Sequence, residues 1–431
     1  MPPSDHFASA STRNSCRCRD PLPLRFSQHR IPNPTSIWYH CHRKSRPDSR
    51  SRLLFWPHFD FQEGAPTLER TATFGLMLCF DAHLDLAMGA VEWNRDLTLE
   101  LDQVRRGEER MTDKSDRGRG TVTLGGMRRG QVGLCVATQI AHSVSPVNPV
   151  PGWKSPEIAW AHTQGQLAWY RAMEDAGQMR QITDVAGLDD HAALWQSDPA
   201  ADAPIGYVLS LEGADSLLTL DHLHRAYGYG LRAVGPAHYG PGRYAPGTGE
   251  VGPLEPCGRE LLAEMRSLGM ILDVTHLTDE GFDEALGLFD GAVWASHSNC
   301  RALVPAQRQL SDPQIKALIE RDAVIGLALD AWMLSPGWVR GETTPQATGL
   351  TLEDALAHMD HICQLAGSAR HCGIGSDLDG GFGNEQTPID VGSIMELGRV
   401  PALLAKRGFP PSDVEAIMHG NWLRLLRSAW G

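Results

Sequence analysis

Phe80-Asp81-Ala82-His83-Leu84-Asp85 closes an apolar run that begins at Phe74. Residues two apart on a strand face the same side, so His83 and Asp85 present an imidazole and a carboxylate together at the C-terminal end of that run. The placement recurs along the chain: Glu212 closes 205–211, His276 closes 270–275, His297 closes 292–296 and Asp377 closes 372–376. One such residue means little. A lone histidine at a strand end is more often a hydrogen-bonded core or loop residue, and Glu212 in Leu211-Glu212-Gly213 could be a plain helix-capping carboxylate. The same placement repeated down one chain is how a (β/α)8 barrel builds an active site, from the C-terminal ends of its parallel strands.

Working outward, short and nearly continuous apolar runs lie at 75–80, 132–139, 205–211, 231–237, 270–275, 292–296, 323–330 and 372–376. Strands buried on both faces of a parallel sheet have this composition. Amphipathic stretches separate them, at 156–175, 256–268, 279–288, 312–321, 352–366 and 393–407, and Gly269 is a good C-cap for the second. Alternating strand and helix predicts the α/β class, and eight strand units predict a (β/α)8 TIM barrel over 75–431 with its metal site at the strand C-termini. The stretch 412–430 is expected as a helix outside the barrel. Two long connections, 92–130 and the Gly- and Pro-rich 238–254, belong over the barrel mouth, where loops shape a substrate pocket.

The chain carries 39 Lys and Arg against 52 Asp and Glu, a net charge of −13, which argues against nucleic acid or an anionic membrane as partner. No apolar run is long enough to span a bilayer. Nine scattered cysteines fit free thiols in a reducing compartment better than a disulfide framework. Residues 1–74 are set apart, rich in Arg, Ser, Pro and His without hydrophobic period. Three readings stand for them. They form a disordered tail, the preferred reading. They form a targeting peptide, against which Asp5, Asp20 and Asp48 count. Or they are not part of the natural protein, Met77 being available as a start. Cys16-Arg17-Cys18 with His40-Cys41-His42 matches no common zinc module and is not taken as a site.

Imidazoles and carboxylates together hold zinc, and a carboxylate can bridge two ions. His83, Asp85, Glu212, His276 and His297 are the candidate ligands, with Glu212 well placed to bridge. Two metals about 3.5–4 Å apart can share a hydroxide that is nucleophilic at neutral pH. Asp377 can take its proton and pass it to a leaving amine. Asp81 and Asp379 are read as residues that orient neighbours or cap, and Trp93, Trp294, Trp332 and Trp422 as core or pocket-wall aromatics.

From Met77 to Trp422 these residues resemble the membrane (renal) dipeptidase family, the zinc dipeptidase branch of the amidohydrolase superfamily. The resemblance is carried by the 80–85 motif, Leu211-Glu212-Gly213, 268–276, Ser296-His297-Ser298-Asn299, 373–380 and Gly420-Asn421-Trp422-Leu423-Arg424. Other amidohydrolases usually open with His-x-His and often bridge with a carbamylated lysine; here the opening is His-x-Asp and the bridge a glutamate. The resemblance implies two zinc ions, one on His83 and Asp85, the other on His276 and His297, with Glu212 between them. It implies Asp377 as proton shuttle, His238 at the scissile carbonyl and its oxyanion, and Arg308 on the substrate's terminal carboxylate, which a guanidinium can grip bidentately. Read without the resemblance, His238 is a loop-packing histidine and Arg308 a surface arginine at a helix start.

The expected activity is therefore metal-dependent hydrolysis of dipeptides, with L-Xaa-D-Xaa substrates a reasonable first panel. The chain departs from better-known members after His238, where a Tyr-Gly-Pro-Gly-Arg-Tyr run replaces a Ser/Asn-rich segment. That departure keeps open a binuclear-zinc hydrolase of another small amide, lactam or lactone. A catalytically silent binding protein on the same scaffold is disfavoured by the complete ligand set. With no secretory signal or lipid-anchor tail in view, a bacterial cytoplasmic enzyme is expected. Homodimers are common in the family, and nothing in the chain demands one.

Overall fold

Each of the eight apolar runs overlaps a strand of the computed structural model, which describes residues 77–144, 152–197 and 200–431. The N-terminal extension and its Cys and His motifs lie outside the described residues. The strands are β1 Cys79–Leu84, β2 Val132–Ile140, β3 Met179–Gln181, β4 Ile205–Glu212, β5 Leu231–Gly235, β6 Ile271–Asp273, β7 Val293–Trp294, β8 Ile325–Leu327 and β9 Cys372–Ile374. Eight of them pair in the order β7-β6-β5-β4-β2-β1-β9-β8, every pair parallel. A bridge between Ala295 and Ile325 joins the two ends of that order, with the Ala295 amide donating to Val324 and the Gly326 amide to Ala295. The result is a nearly closed parallel barrel with alternating helices. Every residue of β1, β2 and β4 is buried, as expected for strands covered on both faces.

The helices Pro156–Asp175, Pro256–Ser267, Asp279–Leu288 and Asp312–Glu320 fall within a residue of their expected bounds. Their starts are built from local chemistry. Ser155 and Thr278 accept from the amides three residues on, and Ser311 and Gln314 form a reciprocal capping box.

Elsewhere the chain departs from its apolar pattern. The stretch 352–366 breaks into Leu352–Ala355 and Ala357–Ala366, and 393–407 opens with a 3-10 segment, Ile394–Arg399, before Val400–Lys406. The expected helix over 412–430 contains a π-helical stretch, Ala416–Gly420. β3 escapes prediction because three residues of mixed polarity carry no period; it pairs with β4 alone. The long connection 92–130 contains helices Leu101–Glu108 and Leu124–Arg129. β1 begins and ends later than predicted, so the Asp81–His83 motif lies inside the strand. Asp81 is tolerated there because the Ser376 amide and hydroxyl both donate to its carboxylate, at 2.8 and 2.5 Å.

The strand ends meet closely around Ser296. A Cβ added to Gly326 or Gly375 would overlap the Ser296 carbonyl oxygen, so these two strands can approach only as glycines. Gly326→Ala should therefore lower stability by roughly 1–3 kcal/mol, the usual penalty of overpacking. Denaturant unfolding checks it, and an unchanged midpoint would mean that the strand end yields without strain.

Candidate metal centre

The barrel brings the sequence-selected residues to one place. Glu212, at the end of β4, divides its two oxygens: Oε2 lies 3.4 Å from His83 Nε2, while Oε1 lies 3.2 Å from His276 Nε2 and 3.4 Å from His297 Nε2. His83 Nε2 is also 3.9 Å from both Asp85 Oδ2 and Asp377 Oδ1. Ligand atoms within 4.8 Å of one another form three overlapping sets, His83/Asp85/Glu212, Glu212/His238/His276 and His83/His297/Asp377. The residues read as ligands are thus all present, and His238 and Asp377 adjoin them.

The imidazoles are aimed by hydroxyls. Thr248 Oγ1 lies 2.8 Å from His276 Nδ1, and Ser296 Oγ lies 2.9 Å from His297 Nδ1 and 3.3 Å from His83 Nδ1. A hydroxyl oxygen accepts two hydrogen bonds, so Ser296 can receive both Nδ1–H groups and direct its own proton to Thr275 Oγ1, 3.4 Å away. Fixing Nδ1 leaves the Nε2 atoms of all three rings facing Glu212. Asp85 is fixed in turn by a short hydrogen bond from Thr138.

A metal would complete this arrangement. Among the described residues, His83 Nε2 and Glu212 Oε1 are buried polar atoms without a hydrogen-bond partner, and they point into the shared space. Imidazole nitrogens with carboxylate oxygens form a donor set suited to a borderline divalent ion. The electrostatics agree. Burial, reinforced by the charge of Glu212, pushes the Asp85 carboxyl up to about 7. Burial also raises Asp377 well above the carboxylate range, with Asp85, Glu212 and Asp330 adding to it against His83. Burial opposes ionisation of Glu212, but His83 and the other imidazoles outweigh it and hold this carboxyl well below its ordinary value. Burial opposes the charged His83 ring, yet the carboxylates around it push it up to about 10. His276 and His297 are driven well down, chiefly by burial.

Two residues named for substrate contact border the cluster. The half-buried His238 ring packs against His276 at a centroid distance of 4.7 Å. Arg308 is not at the surface: it is buried, with Nη2 donating to the His297 carbonyl at 2.7 Å and Nη1 to Ser298 Oγ at 3.2 Å. Its Nε has no hydrogen-bond partner. His276 and Asp377 adopt left-handed φ values of 70° and 60°, a conformation that costs a side-chain-bearing residue free energy and often marks functional positions. Thr248, Ser296 and Thr138 were not picked out from sequence. Ser296 adjoins His297, but nothing in the order of residues distinguishes a hydroxyl that aims a ring from one that does not.

The profile of the membrane dipeptidase family (Peptidase family M19) matches residues 74–430. The solved structure of dipeptidase AC, a metallopeptidase of that family, is 25% identical, covers 83% of this chain and all of its own, and superposes with a TM-score of 0.68. A metallopeptidase of Rhodobacter sphaeroides, solved with a phosphinate mimic of the dipeptide L-Ala-D-Ala, is 24% identical over 82% of this chain and 99% of its own, at a TM-score of 0.67. The dipeptidase tcpJ of Claviceps purpurea is 30% identical over 177 residues, 40% of this chain but only 38% of that protein.

The hydroxyl supports give a direct test. Ser296→Ala removes the acceptor of two ligand rings and should weaken metal binding about 10–100-fold, the range expected for such groups. Thr248→Val should do the same through His276 alone. Competition with a chromophoric chelator reads both affinities, and wild-type affinity in both variants would show that the rings need no such support.

Proposed function

The chain belongs to the membrane dipeptidase family, and on that premise we propose that it is a zinc-dependent dipeptidase in which His83 and Asp85, Glu212, and His276 and His297 would hold two ions. The division of the Glu212 oxygens, one toward His83 and one toward His276 and His297, is the observation that carries this reading. Two bound zinc ions would supply Lewis acidity and lower the pKa of water to near neutrality.

The protein's own groups do the rest. Arg308 holds the substrate's C-terminal carboxylate; its guanidinium is already oriented by His297 and Ser298, so little freedom is lost on binding. His238 stands beside His276, where an N–H can meet the oxyanion that develops on the scissile carbonyl. Burial lowers its affinity for a proton, which keeps the ring neutral near pH 7. Asp377 takes a proton from the attacking water and delivers it to the departing amine. Burial pushes its carboxyl up, so it holds a proton more readily than an ordinary carboxylate, as a group that carries one to the amine must. L-Xaa-D-Xaa dipeptides are the preferred substrates to try, since the Rhodobacter relative is described with a mimic of L-Ala-D-Ala. The divergent 239–244 run favours, as a second reading, the same chemistry on another small amide, lactam or lactone.

Zinc-loaded protein should release amino acids from a panel of L-Xaa-L-Xaa and L-Xaa-D-Xaa dipeptides, read by ninhydrin. Asp377→Asn should lose about 10²–10⁴-fold in kcat, the usual contribution of a positioned acid–base group. Protein carrying two metals per chain that cleaves no dipeptide would overturn the reading in favour of the lactam or lactone alternative. A separate substitution addresses the anchor. Arg308→Met should raise KM roughly tenfold or more, as expected for a lost charge-assisted hydrogen bond, while an N-acylated dipeptide amide, lacking the carboxylate, should not distinguish variant from wild type.

A further inference from the structure

One buried carboxylate beside the centre has no part in the chemistry assigned so far. Asp215 lies three residues past Glu212, in the 3-10 turn Ala214–Ser216 that follows β4, and its side chain is 2% exposed. Burying a carboxylate is costly unless its oxygens are hydrogen-bonded. Here Oδ2 accepts from the Ser143 amide at 3.0 Å and lies 2.9 Å from His142 Nδ1, while Oδ1 accepts from the Arg243 amide at 2.8 Å. Among the described residues, these donors come from two segments: the stretch just past β2 and the tip of the 238–249 loop.

The first segment is a fixed post. Gln166 accepts from the Ile140 amide and donates to the Ile140 carbonyl, both at 2.8 Å, and Ile140 pairs with Glu212 across β2 and β4. The second segment carries His238. Its base is closed by the Thr248 amide on the His238 carbonyl and the Gly240 amide on the Thr248 carbonyl. That base lies close to the end of β4: a Cβ added to Gly213 would stand 3.2 Å from His238 Cβ. Asp215 thus reaches from the turn after Glu212 to the tip of the loop whose base holds His238.

A carboxylate suits this place, because N–H groups arriving from different directions need an acceptor on both oxygens. A side-chain amide would turn an NH2 group toward one of them. The loop has other fastenings: Arg243 Nη1 and the Tyr244 hydroxyl donate to the Leu217 carbonyl at 2.7 and 2.8 Å, and the Glu255 amide donates to the Tyr244 carbonyl. With these in place the loop stays attached without the carboxylate. What Asp215 adds is the position of the tip against the end of β2.

We propose that Asp215 is a positioning residue for His238: by holding the loop tip against the end of β2, it sets where the His238 ring meets the oxyanion. This rests on the dipeptidase reading and on the role given there to His238. An error of about 1 Å in the placement of such a group can cost on the order of 100-fold in rate. The competing role is anchoring alone, in which Asp215 adds stability and nothing to turnover.

The test is a double-mutant cycle on kcat for L-Ala-L-Ala and L-Ala-D-Ala in the zinc-loaded full chain, with Asp215→Asn, His238→Ala and the two combined. Bound zinc is measured in each protein and rates are compared at equal loading, so that a disturbed His276 is not mistaken for the effect. Asp215→Asn alone should lower kcat roughly 10–100-fold. In the His238→Ala background it should cost no more than about twofold, because a group that acts through His238 then has nothing to position. Losses that multiply across the cycle, or wild-type kcat in Asp215→Asn, overturn the positioning role. Should Asp215→Asn not fold, His142→Leu removes one donor from the same carboxylate and runs the same cycle with a smaller first loss. Multiplied losses in an active enzyme overturn this inference alone. Wild type that cleaves no dipeptide overturns the underlying reading and this inference with it.

Discussion

Asp85, Glu212 and Asp377 are held together out of water with three imidazoles, and the rest of the site follows from that concentration of charge. In a medium of low dielectric, neighbouring carboxylates cannot all stay ionised, so protons are retained on some of them. The Asp85 and Asp377 carboxyls are accordingly pushed up while Glu212, pressed between imidazoles, is held down. Without a cation, protons sit on atoms whose geometry suits a metal. A divalent ion held there would replace them and remove the repulsion at the same time. The cluster is an unfavourable arrangement that a metal would convert into a favourable one, with release of protons.

Such an arrangement persists only if its surroundings over-determine it. Carboxylates outside the cluster do much of this by capturing backbone amides at the strand ends. Asp81 of β1 accepts from Ser376 just past β9. Asp273 of β6 accepts from the amides of Thr275 and of Ser296, which follows β7. Asp379 reaches from the Asp377 loop to the Thr121 amide and hydroxyl and the Val122 amide, and Arg95 lies 3.4 Å from it. Parallel strand ends leave amides that the ladder does not use, and each must find a partner when buried. Here the partners also lock adjacent strands in register. Ser296 is held from both sides, by Asp273 at its amide and by the close approach of Gly326 and Gly375 at its carbonyl, and it in turn aims two imidazoles.

These supports explain which features were legible in the sequence. The barrel strands were, because burial on both faces leaves an unbroken apolar run that no surface element imitates. The residues that cluster at the candidate metal centre were, because ionisable residues stand out at the ends of such runs. β3 was not legible: its three residues owe their pairing to the neighbouring β4 edge rather than to any pattern of their own. Nor were the helices Leu101–Glu108 and Leu124–Arg129, which lie in a stretch dominated by charge and glycine. The first is tied down by buried ion pairs, including Arg95 with Glu108. Thr248 was invisible for a different reason. It lies 28 residues from His276, and only the folded loop brings its hydroxyl to the ring.

That loop ties the 239–244 run to the candidate metal centre. Its two ends are fastened to each other, with the Thr248 amide donating to the His238 carbonyl and the Gly240 amide to Thr248. His238, Tyr239 and Thr248 therefore move as one unit. Its tip is anchored to the barrel, since the Arg243 amide donates to Asp215 and its guanidinium to the carbonyls of Asp215 and Leu217. The Thr248 hydroxyl of the unit orients His276, a candidate metal ligand, and the Tyr239 ring packs against the same imidazole. A change in the 239–244 run therefore bears on His276 as well as on the surface the loop covers. The sequence of the loop is thus constrained by the imidazole of the candidate metal centre as well as by its own folding.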